Sequence, residues 1–265
     1  MKPSESALKT TLFKALRAAG KLIGRASAGQ RRVIHKKAAL SLVTAIDRAA
    51  EKKILAVIRS RFPDHAFLTE ESPPSGRSPY RWIIDPLDGT TNFAHGYPVS
   101  CVSIGLEAFG KLIMGGVYDP HRDELFFAAL GRGAFLNGKK IRVSKTKKLS
   151  DALLATGFPY DQYERLGLYL RLFKPFVLAT QGLRRAGAAA IDLCYVACGR
   201  FDGYWEYKLN AWDKAAGILI VEEAGGRASN FRGQPLSLES TQNVFSNGLL
   251  HAQMLKILRP FKNIP

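Results

Sequence analysis

The chain has 265 residues, 46% hydrophobic and 23% charged, the proportions of a globular protein long enough to bury a sizeable core. Its formal net charge of +17 suits polyanionic or phosphorylated partners; residues 1–40 hold ten Lys or Arg and one acid, Glu5. No apolar run reaches the roughly 18 residues of a membrane span, and three cysteines (Cys101, Cys194 and Cys198) make no disulfide framework, so the expected setting is the reducing cytoplasm, with no membrane partner.

The first predicted element is an amphipathic helix over 5–23, with Leu8, Leu12, Leu16 and Ile23 near one face. It argues against reading the basic N-terminal region as a transit peptide, and no secretory apolar core is present. Ala26 to Gln30 read as a break, and His35-Lys36-Lys37 as a basic turn. A second helix fits Leu42 to about Arg59, with Asp47 on its polar side. Ala66 to Leu68 form a short strand with Thr69-Glu70-Glu71-Ser72 at its end. Three prolines and a glycine make 73–79 a mobile loop.

Residues 80–84 read as a buried strand that delivers Asp85, and Pro86 ends its pairing because it has no N–H. Asp88, Gly89, Thr90 and Thr91 follow. Gly89 permits a turn or a close ligand approach, and the Thr pair can open a helix whose free N–H groups suit a phosphate. Two carboxylates three residues apart repel a phosphate unless a cation lies between. Mg²⁺ meets that need, since it takes oxygen ligands and bridges to phosphate. The plainer alternative is that Asp85 and Asp88 only start a turn.

Further on, 99–107, 111–119 and 124–128 alternate like strands, which points to a mixed or antiparallel sheet. Asn137-Gly138 is a hairpin signal, and six Lys or Arg crowd 139–148. Helices are predicted over 161–173, 187–198 and 211–224, the last opening with Trp212-Asp213. Strands are predicted over 201–207 and 244–246, and a final helix after Asn247-Gly248. Glu70, Asp85, Asp88 and Asp213 thus all lie at element ends, although a helix-start acid such as Asp213 is by itself more often a cap.

The stretch Trp82-Ile-Ile-Asp-Pro-Leu-Asp-Gly-Thr-Thr-Asn-Phe93 resembles the first signature of the inositol monophosphatase family of Mg²⁺-dependent, lithium-sensitive phosphatases. Trp212-Asp213 through Gly225-Gly226 resembles the second. Leu42 to Asp47 and Phe67 to Ser72 resemble two further family stretches. The resemblance implies an α/β (α+β) fold, a layered α-β-α-β-α sandwich of the inositol monophosphatase / fructose-1,6-bisphosphatase type. The expected organisation is one unit over 1–265, with a metal-binding α+β half to about residue 145 and a second α/β half over 146–265. The family is usually homodimeric.

Site roles follow from the same resemblance. Glu70, Asp85, the Leu87 carbonyl, Asp88 and Asp213 would ligate Mg²⁺. Thr90, with Glu70, would orient the attacking water, and Asp47 would support Thr90. Gly89 and Thr90 would hold phosphate oxygens through their N–H groups. Glu206 would bond substrate hydroxyls, and Lys36 matches a family lysine near the metals. The implied activity is hydrolysis of a small polyol or sugar phosphate, with myo-inositol 1-phosphate as default; fructose bisphosphate, histidinol phosphate and nucleotide phosphates are the alternatives. An added role with RNA or the transcription machinery ranks behind.

Several positions depart from the family pattern. Ser41 stands for an Asp, Ala188 for a Ser or Thr near the substrate, and Lys214 for an apolar or aromatic residue. Tyr207-Lys208-Leu209-Asn210 replaces Gly-Leu-Xaa-Pro. The Ser41 change would weaken a local cap or ion pair, whereas those in the segments of Ala188, Glu206 and Lys208 bear on the alcohol portion of the substrate; the acids are intact.

Overall fold

Helix α1 (Glu5–Ser27) forms where apolar residues recur at helical spacing. Leu8, Leu12, Leu16 and Ile23 are buried, with Ala15 and Ala19 filling the stripe between them. The computed structural model describes residues 3–27, 34–36, 42–158 and 162–264. Next come β1 (Ile34–Lys36), β2 (Leu42–Thr44) and α2 (Ala45–Arg59). Helices α1 and α2 pack together on one face of a seven-stranded sheet.

That sheet consists of β3 (Ala66–Thr69), β4 (Tyr80–Asp88), β5 (Cys101–Ala108), β6 (Lys111–Asp119), β7 (Glu124–Ala129), β8 (Gly133–Leu136) and β9 (Lys139–Lys140), in that spatial order. Only β3 and β4 are parallel; the remaining pairs are antiparallel. Short helix α3 (Thr90–His95) leaves the end of β4.

The rest of the chain supplies β10 (Leu153–Thr156), α4 (Gln162–Ala179), β11 (Gly182–Arg184), α5 (Ala189–Ala197), β12 (Gly203–Tyr207), α6 (Ala211–Glu223), β13 (Arg227–Ser229), β14 (Gln242–Ser246) and α7 (His251–Leu258). Its five strands run in the order β11-β10-β12-β14-β13. Helices α5 and α6 pack between the two sheets, and α4 and α7 cover the outer face of the second. The layers are therefore α-β-α-β-α, as the resemblance implied.

Close approach of α6 to the first sheet depends on two glycines. Gly105 and Gly115 face each other across β5 and β6. A Cβ at Gly105 would lie 2.8 Å from Ala215 Cβ, and one at Gly115 2.8 Å from the Ala216 carbonyl oxygen. Any larger residue would push α6, and with it Asp213, away from the sheet.

Several expectations need correction. His35 and Lys36 belong to β1, not to a turn, and Leu42–Thr44 is a strand paired with it; β-branched Val43 and Thr44 favour pairing over helix. Lys37 to Ser41 lie outside the described residues, as does Gln30 at the expected break, whereas α1 continues through Ser27. Asp47 is fully buried rather than on a polar face. Strand β4 does not end at Pro86. It runs to Asp88, and its register with β5 slips by one residue between Asp85 and Asp88, a bulge that tolerates a residue without an N–H. The loop at 73–79 is tied back by paired backbone bonds between Ser75 and Phe67 (2.8 and 3.0 Å). Helix α4 runs past the expected end at 173, through Pro175, to Ala179.

Candidate active site

The local chain path brings the acids together from three directions. Parallel pairing aligns Thr69 with Ile84, and the Glu70 N–H extends the ladder to the Ile84 carbonyl (3.2 Å). Glu70 and Asp85 therefore leave neighbouring strands at their carboxyl ends, where ligands commonly bind in α/β sheets. The bulge then carries Leu87 and Asp88 past them. Asp213 arrives from α6, where its carboxylate accepts the Asn210 N–H (2.7 Å) and closes a capping box with Asn210.

The three aspartates are held by backbone N–H groups. Asp85 Oδ1 accepts the Leu87 N–H at 3.0 Å, and Asp88 Oδ2 accepts the Ala190 N–H at 2.7 Å. Burial, and then the charges of Glu70, Asp88 and Asp213, pushes Asp85 well above the usual carboxylate range. Burial lifts Asp88 to about 7 against the pull of the Ala190 N–H, with Glu70 and Glu206 adding to the rise. Asp213 also reaches about 7, through burial and then Asp88. Among the described residues none of these three aspartates forms a salt bridge.

Thr90 lies against the cluster. Its hydroxyl is 2.9 Å from Asp47 Oδ1 and 2.9 Å from the Leu87 carbonyl oxygen. Its single proton goes to one of these acceptors, and the oxygen keeps its lone pairs for a donor. Gly89, which precedes α3, has φ 86°. A Cβ there would lie 2.7 Å from the Val99 carbonyl oxygen, so only glycine fits this turn.

A cavity of about 770 Å³ opens over these groups. Asp88, Gly89, Thr90, Ala188, Glu206 and Asp213 line it. Glu70 and Asp85 stand beside Asp88, coupled to it by charge, and Leu87 lies between the two aspartates. The backbone of Lys36 lies in β1, whose partner β2 packs near α3. A second cavity, of about 500 Å³, is bounded by Phe231, Arg232, Leu255 and Arg259 and has none of the predicted site residues.

Sequence reasoning missed Arg185, Asp192 and Tyr204, which also line the larger cavity. The Tyr204 hydroxyl donates to Glu206. Burial raises Glu206 to about 7, opposed by that bond and by Arg185. An available signal for Asp192 was its place as the one acid in an otherwise apolar helix. Lys208 lines the cavity from a left-handed backbone (φ 68°). Lys214 does not: it is buried and donates to the Ser240 carbonyl and to Asn243 Oδ1.

The donor chemistry suits a hard divalent cation. The candidates are all oxygens, and the acids push one another's carboxyls upward, a surplus of negative charge that a dication relieves. Among the described residues no three His, Cys, Asp or Glu side chains form a ready cage. Mg²⁺ commonly binds through one or two carboxylates together with substrate phosphate, so a closed cage is not required.

An α-β-α-β-α sandwich with acids gathered at strand and helix ends, beside a glycine turn, defines a class of metal-dependent phosphatases. The inositol monophosphatase family profile matches residues 5–262, and the chain belongs to that family. It is 52% identical over 219 residues to an inositol-1-monophosphatase of Synechocystis sp., covering 82% of this chain and 76% of the relative. It is 46% identical to the Nus factor SuhB of Pseudomonas aeruginosa, covering 94% of both. The crystal structure of the extragenic suppressor protein suhB from Bartonella henselae superimposes with a TM-score of 0.92 at 39% identity, covering 97% of this chain and all of the other. No described helix is long and apolar enough to cross a membrane.

Proposed function

We propose that the protein is a Mg²⁺-dependent phosphomonoesterase acting on a small polyol or sugar phosphate, with myo-inositol 1-phosphate as the reference substrate. The observation that carries this reading is that Asp88 and Asp213 line one cavity with the Gly89-Thr90 turn, with Asp85 and Glu70 next to Asp88 at the ends of paired strands. Glu70, Asp85, the Leu87 carbonyl, Asp88 and Asp213 would hold the cation. When bound, Mg²⁺ neutralises phosphate charge and lowers the pKa of a nearby water.

The chain's own groups do the rest. If the Leu87 carbonyl were to hold the cation, the Thr90 proton would go to Asp47. The Thr90 oxygen then accepts a hydrogen bond from the attacking water and, with Glu70, aims it at phosphorus. Gly89 and Thr90 offer N–H groups to the phosphate oxygens. Glu206 accepts a hydrogen bond from a hydroxyl of the leaving alcohol. Lys36 would add positive charge near the phosphate. Like most of its family, the protein would act as a homodimer in the cytoplasm.

The experiment is phosphate release from a panel of inositol, glycerol, sugar and nucleotide monophosphates, with and without Mg²⁺ and with added Li⁺. Mg²⁺-dependent, Li⁺-sensitive turnover, highest on the polyol esters, is expected. Full activity in excess chelator contradicts it.

A second, added role is favoured by one finding: a 46% identical relative is named a Nus factor. The exposed basic run Lys139, Lys140, Lys145, Lys147 and Lys148 offers a phosphate-backbone surface to RNA. RNA binding that weakens with salt and persists in Asp88→Asn is the expected result. No binding at low salt removes the idea.

A further inference from the structure

Asp192 sits one turn into α5, where its N–H bonds to the Ala188 carbonyl at 3.1 Å. The residue lines the active-site cavity yet is only 1% exposed. Among the described hydrogen bonds none ends on its carboxyl, and Oδ1 is buried without a partner. The neighbouring donors do not serve it. The Tyr204 hydroxyl is committed to Glu206. Arg185 acts on Asp192 only through its charge, with no salt bridge between them, and its guanidinium lies 6.0 Å from the Phe158 ring centre. Helix α5 is otherwise apolar. A buried polar group without a partner is destabilising, so its presence on the wall of a ligand cavity points to a partner brought in by the ligand.

The chemistry of that partner can be narrowed. A hydroxyl donates and accepts, so it satisfies the carboxyl whether ionised or protonated. An aryl or alkyl leaving group satisfies neither form. A second anionic group would meet Asp88, Asp192 and Glu206 together, with the charge of Arg185 acting against that repulsion from the cavity wall.

We propose that Asp192 is a specificity-determining residue that takes a hydrogen bond from a second hydroxyl of the leaving alcohol, so that phosphate esters of polyhydroxylated alcohols are preferred over donor-poor ones. This rests on the phosphatase reading above and adds to Glu206 a second polar contact on the alcohol side.

The test measures kcat and KM in Mg²⁺ for myo-inositol 1-phosphate, glycerol 2-phosphate and p-nitrophenyl phosphate, with the wild type, Asp192→Asn and Asp192→Leu. Asp192→Leu should lose about 10- to 100-fold in kcat/KM on the two polyol esters and stay within about threefold on the aryl ester. Asp192→Asn, which keeps an acceptor, should fall between. Melting temperatures should hold or rise, since a buried unpaired carboxyl has been removed. A resident water that satisfies Asp192 is the competing arrangement. It predicts equal losses on all three esters, which would overturn the proposal, as would unchanged activity on the polyol esters. If Asp192→Leu fails to fold, the same selectivity ratio in the isosteric Asp192→Asn decides. A wild type that releases phosphate from none of the three overturns the phosphatase reading itself. Turnover without selective loss overturns only the role of Asp192.

Discussion

Thr90 and His251 show how hydrogen-bond direction fixes what a side chain can do. Thr90 spends its one proton between two acceptors, which leaves its oxygen able only to receive. His251 is buried between two serines. Ser229 donates its proton to the Asn230 carbonyl, so its oxygen accepts from His251 Nε2–H at 2.8 Å. Ser246 then donates to Nδ1 at 2.9 Å. This network assigns the neutral, Nε2-protonated tautomer. Burial, with Arg227 adding to it, pushes the imidazole down to about 4 from an ordinary 6.5. Between those values only the unfolded chain binds the extra proton, so the contribution of His251 to stability is full above pH 6.5 and is lost as pH falls toward 4, by up to about 3 kcal/mol. The carboxyls of Asp88, Asp213 and Glu206, raised to about 7, act in the opposite sense. Chemical denaturation of the wild type and His251→Asn at pH 7.5 and pH 4.5 should isolate the His251 contribution: the wild type should lose more stability, or gain less, than the variant on going to pH 4.5. Equal pH sensitivity in the variant contradicts the assignment.

At the scale of elements, the position of α6 sets the position of Asp213, and the glycine pair under it sets α6. Gly115→Ala should therefore lower thermal stability and kcat/KM together. Leu16→Ala, on the far face of the same sheet, should cost about 2–5 kcal/mol of stability and leave kcat/KM unchanged below the melting transition. Measuring both quantities for both variants separates a helix that aims a ligand from one that only covers the sheet. The elements legible in the sequence were those with strong local patterns. The stripe of α1 and the alternation of β5, β6 and β7 gave their bounds to within a few residues. Short β10, β11 and β13 were missed because their pairing is remote: β10 lies beside β12 some 49 residues later, and a three- or four-residue strand has no period of its own. Pro86 misled because a proline that ends a flat strand is tolerated at a bulge. The acids were legible as strand-end residues followed by a family signature. Asp192 was not, because its burial and lack of a partner are properties of the packed cavity wall.

At the scale of the molecule, the two sheets and the helices between them bring stretches around residues 68, 88, 188, 206 and 213 to one cavity, with Asp47 behind it on Thr90. Negative charge is concentrated there while the chain as a whole carries +17. That contrast suits an enzyme that attracts a phosphate from a distance and keeps a divalent cation at the reacting centre. The most direct test is a Mg²⁺ titration of phosphate release from myo-inositol 1-phosphate by the wild type and by Asp88→Asn. The account predicts no turnover without Mg²⁺ in the wild type, saturable activation by it, and a loss of about 1,000-fold or more in Asp88→Asn with the melting temperature kept or raised. Turnover independent of Mg²⁺, or an Asp88→Asn variant as active as the wild type, would contradict it.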